Sequence, residues 1–159
     1  MEEKAPPRSP EQNDLATLCA ALNAANARYV VVGGMAIIQQ GFLRATEDID
    51  LLLESSRANQ SRVLKALEIL PDKSVKELAE TDLDEYLVVR VADEIVVALM
   101  LSACGGTYDE VISGIEIKVI EGVSIPFASA RMLLKMKQTY RDNIPDRIFL
   151  EEKLREEAR

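Results

Sequence analysis

Residues 29–54 read YVVVGGMAIIQQGFLRATEDIDLLLE, and this stretch decides the fold. Tyr29-Val30-Val31-Val32 is short and β-branched, the pattern of a buried strand, and Gly33-Gly34 ends it. Met35 to Gln40 predicts a short helix closed by Gly41. Asp48 to Glu54 then alternates as a second strand, with Ile49, Leu51 and Leu53 on one face and Asp48 and Asp50 on the other. Residues two apart on a strand hold their Cβ atoms about 7 Å apart. Two carboxylates at that spacing can converge on one or two Mg²⁺ ions, which demand oxygen ligands and keep waters and phosphates as the rest. Aspartate is disfavoured on strands, so a pair of them beside a glycine turn points to chemistry more than to a solvated face. Glycines, in turn, let a phosphate approach the backbone closely.

Outward from this centre the pattern is mixed. Ser9-Pro10-Glu11-Gln12 reads as a helix start, with Leu15, Leu18, Cys19 and Leu22 at helical spacing behind it. Arg57 to Leu70 predicts a helix ended by Pro71, and Ser74-Val75-Lys76-Glu77 a short one. Tyr86–Val91 and Glu94–Leu101 read as a hairpin across a tight Ala92-Asp93 turn, with a capping box at Thr107 to Glu110 beyond it. Ile115–Ile120 and Val123–Phe127 read as a second hairpin across Glu121-Gly122. Ser129 and Asn143 are read as caps for helices over 130–140 and from about Pro145 onward. The predicted fold class is α/β (α+β): a mixed β-sheet flanked by helices, in a single domain over 9–159 after a flexible tail at 1–8. The expected core holds Val30, Val32, Ile49, Leu51, Leu53, Leu64, Leu67, Val97, Leu99, Leu133 and Met136.

Composition narrows the chemistry. The 159 residues include no His, which excludes Ser-His-Asp relays, His-based zinc sites and imidazole proton shuttles. Cys19 and Cys104 form no CxxC motif, so no thiol redox centre is indicated. The formal net charge of −8 disfavours a long nucleic-acid footprint, and three Phe, four Tyr and no Trp leave few platforms for stacking bases. No apolar run reaches the ~20 residues of a membrane span and the first ten residues lack a signal-peptide h-region, so the expected location is cytoplasmic.

Taken together, Gly33-Gly34, Arg44, Thr46, Asp48 and Asp50 resemble the nucleotidyltransferase superfamily that includes DNA polymerase beta, specifically its minimal AbiEii-toxin-like branch. The stretch IPFASARMLLKMKQTYRDNIPD also looks like that branch. The resemblance implies a nucleotidyltransferase-like fold and a two-metal transfer of an NMP from an NTP to an acceptor hydroxyl. In it, Asp48 and Asp50 hold Mg²⁺ or Mn²⁺, and Gly33 and Gly34 cradle the triphosphate. Arg44, Thr46, Lys137 and Arg141 line the nucleotide. An ion pair of Arg44 with Glu47 or Asp48 competes with that role, and a solvated stripe competes with it for Lys137 and Arg141. The acceptor is expected to be a small molecule or a protein rather than long nucleic acid, with a short RNA end near Arg131, Lys135, Lys137 and Arg141 left open.

The chain departs from the family pattern in one place. The third carboxylate belongs on the strand Glu94 to Met100, and its position is Ala98. Glu94 is four residues away, about 13 Å, and cannot substitute. Asp84 and Glu85 stay open as replacements. Loss of this ligand points to an impaired enzyme: a binding-competent relic, or an active enzyme disabled by an Asp→Ala change, the usual way to disable a site and therefore the reading preferred. The alternatives are a non-catalytic nucleotide-binding module on the same fold, with a toxin–antitoxin association, or a protein-interaction module acting through the acidic C-terminal helix.

Overall fold

The structure, a computed structural model, describes residues 5–103, 106–137 and 144–159, the side chain of residue 137 excepted. Among the described residues eight strands and seven α-helices follow in the order α1 (Gln12–Ala24), β1 (Tyr29–Val32), α2 (Gly33–Gln39), β2 (Asp48–Leu53), α3 (Arg57–Ala66), α4 (Asp82–Glu85), β3 (Val89–Ala92), β4 (Val96–Met100), β5 (Ser102–Ala103), β6 (Gly106–Thr107), α5 (Tyr108–Val111), β7 (Ile115–Ile120), β8 (Val123–Ala128), α6 (Ala130–Lys137) and α7 (Ile144–Glu157). Six strands form one sheet in the order β3-β4-β2-β1-β8-β7, and β5 pairs with β6 in a separate two-residue ribbon. The β2–β4 and β1–β8 pairings are parallel, and the other three of the large sheet are antiparallel. This is the mixed sheet flanked by helices that the sequence predicts.

The centre of the sheet is its most apolar part. All four residues of β1 are buried, as are Ile49, Leu51, Leu52 and Leu53 of β2, so both faces are covered there. Helix α1 buries Leu15, Leu18, Cys19 and Leu22 and packs on β8 and α3. Helix α2 packs on β1 and β2 and touches α6, which in turn packs on α7. Each fully buried Leu or Ile adds roughly 1.5–3 kcal/mol to folding. Ten of the eleven expected core residues are buried, and Leu64 is half-buried instead.

The hairpin β7–β8 turns through Glu121 (φ 51°) and Gly122 (φ 80°), the left-handed pair that a two-residue turn needs. The β3–β4 hairpin differs from its predicted form. Ala92 pairs with Val96, so the turn spans Asp93, Glu94 and Ile95 rather than Ala92-Asp93. The cause is Asp93, whose buried carboxylate accepts hydrogen bonds from the backbone N–H groups of Asp72 (3.0 Å), Ser74 (2.9 Å) and Glu94 (2.7 Å).

Burial works to raise the Asp93 pKa, but those N–H donors outweigh it and hold the carboxyl below its ordinary value. Its stabilising contribution is therefore complete above the unfolded Asp pKa of about 3.9 and is lost as pH falls through the folded value. Asp93→Asn is expected to cost about 1–3 kcal/mol near neutral pH in urea unfolding. The gap from the parent chain should narrow below pH ~4, whereas a pH-independent gap would show that the charge does not matter.

Helix α1 begins at Gln12 with Glu11, not Ser9, as its N-cap. Asp14 accepts from the Glu11 N–H at 2.7 Å and from both terminal nitrogens of Arg8 at 2.7 Å. The Arg8 N–H donates to the Glu94 carbonyl at 2.9 Å, which ties the chain just before the helix to the β3–β4 turn. At the other end of β2, Ser56 caps α3 by accepting from the Asn59 N–H. Buried Asn59 bonds the Arg28 N–H and carbonyl and the Glu54 carbonyl, extending the edge of the central strands with a side chain.

Candidate functional site

The site is built where β1 ends and β2 begins. Val32 pairs with Asp50, so the chain leaving β1 enters the Gly33-Gly34 turn beside that carboxylate. Gly33 has φ +66°, a left-handed conformation, and a Cβ placed on it would lie 1.9 Å from Asp50 Oδ2. A Cβ on Gly34 would lie 2.4 Å from Thr46 Oγ1 and 3.0 Å from an Arg44 terminal nitrogen. The two glycines therefore make room for three of the sequence-predicted site residues. Thr46 donates its hydroxyl to the Asp48 carbonyl at 3.2 Å, fixing the entry into β2.

Asp48 and Asp50 lie on one face of β2 and are half-buried. Asp50 stands directly opposite Ala98 on β4, and Ala98 directly opposite Arg90 on β3. Position 98 thus presents a buried methyl group beside the Asp50 carboxylate. Arg90 donates from Nη1 to Asp48 Oδ2 at 2.6 Å, and its own side chain is 64% exposed.

The two acidic residues left open as substitutes are not brought here. Asp84 binds Arg57 (2.6 Å) and Gln60 (3.0 Å) at the start of α3, beyond the far end of β2, and Glu85 closes the same short helix α4. Among the described residues, no cluster of three metal-binding carboxylate or thiol side chains occurs. Among the described residues the two carboxylates would suit one Mg²⁺ or Mn²⁺ ion, which takes one or two carboxylates and completes its shell with water and phosphate.

Arg44 is drawn away from the expected partners. Its Nε lies 3.2 Å from Oδ1 of Asp146, a buried residue in the first turn of α7, rather than near Glu47 or Asp48. Stacking of Phe42 on Phe149 (centroids 4.9 Å apart) ties the same loop to α7. The Lys137 side chain and Arg141 lie outside the described residues, as do Asn143, Cys104 and the end of the helix expected over 130–140. Cys19 is buried, and burial pushes its thiol up to about 12, so it is inert.

A surface groove of about 640 Å³, lined by Gln40, Gly41, Phe149, Glu152, Lys153 and neighbouring glutamates of α7, sits at the C-terminal end of α2. Seven residues of helix, roughly 10 Å, separate it from the Gly33-Gly34 turn.

The sequence pattern of the aminoglycoside-2''-adenylyltransferase family matches residues 14–150. The chain belongs to that family. Its members are nucleotidyltransferases, and the match takes in the turn, the Asp48–Asp50 strand and the strand with Ala98. A "putative nucleotidyltransferase" of Thermotoga maritima has the same fold: TM-score 0.53 and 16% identity over 92% of this chain and 91% of that one. No curated protein matches the chain. Among the described residues no helix is long and apolar enough to cross a membrane.

Arg90 and Asp146 were not singled out from the sequence. Arg90 alternates with buried Val89 and Val91, the mark of an outward-facing strand residue. A two-residue turn at Ala92-Asp93 would have set it opposite Ile95, away from Ala98. Asp146 carries no local signal for a partner a hundred residues earlier.

Proposed function

We propose that this chain is a cytoplasmic nucleotide-binding protein that holds a nucleoside triphosphate with one Mg²⁺ or Mn²⁺ ion on Asp48 and Asp50, and that transfers the nucleotide slowly as written. One observation carries the reading: the register sets Ala98 against Asp50, where the resemblance calls for a third carboxylate. Bound there, the metal would supply charge neutralisation of the phosphates. Asp50, packed over the Gly33 backbone, has a fixed place from which to bind it. Thr46 and Arg44, seated on Gly34, shape the neighbouring wall. With Ala98 in place, no third carboxylate among the described residues helps to remove the proton of an attacking hydroxyl, a loss typically worth ~10²–10⁴ in rate.

The family is named for adenylyl transfer to an aminoglycoside, and a polycationic acceptor of that class suits a chain of net charge −8. ATP is accordingly the nucleotide to test first. The toxin-like branch and a toxin–antitoxin association gain no support from this match. A purely nucleotide-binding role is the second reading, favoured by the ion pair that Arg90 makes with Asp48.

The experiment is an adenylyl-transfer assay with α-labelled ATP, Mg²⁺ and a panel of aminoglycosides, beside the Asp50→Asn variant. Slow labelling that disappears in Asp50→Asn supports the enzyme. ATP binding with no labelling of any acceptor supports the binding module.

A further inference from the structure

Arg90, Ala98 and Asp50 form one row across β3, β4 and β2, and directly paired residues share a face of the sheet. Two strand spacings, roughly 9.6 Å, separate the backbone of β3 from that of β2. The Arg90 side chain bridges this gap diagonally, from its place opposite Ala98 to Asp48, which is paired with Val96 on β4. A bulky residue at position 98 would obstruct that path, and an acidic one would capture the guanidinium first. Ala98 and Arg90 thus act together: the small residue lets the cation through.

The contact is directional. Asp48 is the one side-chain partner of Arg90 among the described residues, and it engages a single terminal nitrogen. A guanidinium has five N–H donors, so most of them face solvent on the exposed side of the site. Arginine is permanently charged and matches phosphate geometry, while a cation 2.6 Å from Asp48 Oδ2 competes with any metal ion for that oxygen.

We infer that Arg90 is a resident cation of the nucleotide site. It occupies the charge position of an ion that a carboxylate at 98 would help to hold, and it offers its remaining donors to the triphosphate. This rests on the reading of the site given under Proposed function. It predicts nucleotide binding that tolerates removal of divalent metal, and weak binding of metal alone because Asp48 is already engaged.

The test is calorimetric titration of ATP into the parent chain, Arg90→Gln and Arg90→Lys, in EDTA and in Mg²⁺, with Mn²⁺ alone titrated by electron paramagnetic resonance. The parent should bind ATP in EDTA, and Arg90→Gln should lose about tenfold or more there, the worth of one charge-assisted hydrogen bond. Arg90→Lys should recover part of the loss, and Arg90→Gln should bind Mn²⁺ alone more tightly than the parent. A merely structural surface arginine would leave the ATP affinity in EDTA unchanged, whatever its removal does to Mn²⁺ binding at the freed Asp48. Equal ATP affinity of parent and Arg90→Gln in EDTA would overturn the role of Arg90 while leaving the nucleotide site standing. A parent chain that binds no ATP under either condition would remove the site reading itself, and this inference with it. The exposure of Arg90 makes the substitutions compatible with folding, which thermal midpoints would check.

Discussion

Ala98→Asp is expected to raise nucleotidyl transfer by about 10²–10⁴, the usual worth of a positioned general base. The β2–β4 register sets the new carboxylate directly beside Asp50, with Asp48 on the same face of the neighbouring strand. Position 98 is 1% exposed, so the charge enters a nearly dry place. Without metal, three carboxylates crowd one edge, and Arg90, directly across, offsets only part of their repulsion. The metal-free variant should therefore be less stable than the parent by on the order of 2 kcal/mol. Mn²⁺ should raise its melting temperature more than it raises that of the parent. The paired readouts are the labelled-ATP assay and the midpoint with and without Mn²⁺. If neither moves, position 98 is not where the third ligand belongs.

Gly33→Ala is expected to cost roughly 2–4 kcal/mol and to abolish nucleotide binding. A left-handed φ of +66° penalises any side chain, and the added Cβ would sit 1.9 Å from Asp50 Oδ2. Either the helix start or the carboxylate must shift, and both belong to the candidate site. Gly122→Ala separates the two costs. Gly122 also has a positive φ, +80°, but a Cβ there meets nothing within 4 Å, so only about 1 kcal/mol of backbone strain is expected. Adding Asp50→Ala to Gly33→Ala should return much of the lost stability, because the collision is with that side chain. Urea unfolding of the four proteins decides it. Equal costs at Gly33 and Gly122 would mean that the turn does not press on Asp50.

The sequence was most legible where local chemistry sufficed. Alternation in Asp48 to Leu51 and the Glu121-Gly122 turn are both short-range patterns and both appear as read, whereas Leu52 is buried on the face of the two aspartates. The core followed for the same reason, since strand and helix periodicity place apolar residues on known faces. Errors came from distant partners. The turn after β3 is set by Asp93 reaching to Asp72 and Ser74, and this shifted the hairpin register by enough to hide the Arg90–Ala98 pairing. Arg44 found a buried carboxylate on the last helix instead of an acidic neighbour in its own loop. The start of α1 differs for a local reason: Asp14, held by Arg8, accepts the Glu11 N–H in a capping box, so Glu11 and not Ser9 caps the helix. The Gly33-Gly34 turn was read as a place where phosphate approaches, and it also accommodates Asp50, Thr46 and Arg44. Glycine in a sequence reports that something comes close, without saying what.

The proposed function stands or falls with a nucleotide site at Asp48 and Asp50. Calorimetric titration of ATP with Mg²⁺ into the parent chain and into Asp50→Asn tests it most directly. Saturable one-to-one binding by the parent is expected, weakened about tenfold or more when the Asp50 charge is removed. Absence of binding by the parent, or equal binding by both proteins, would contradict it.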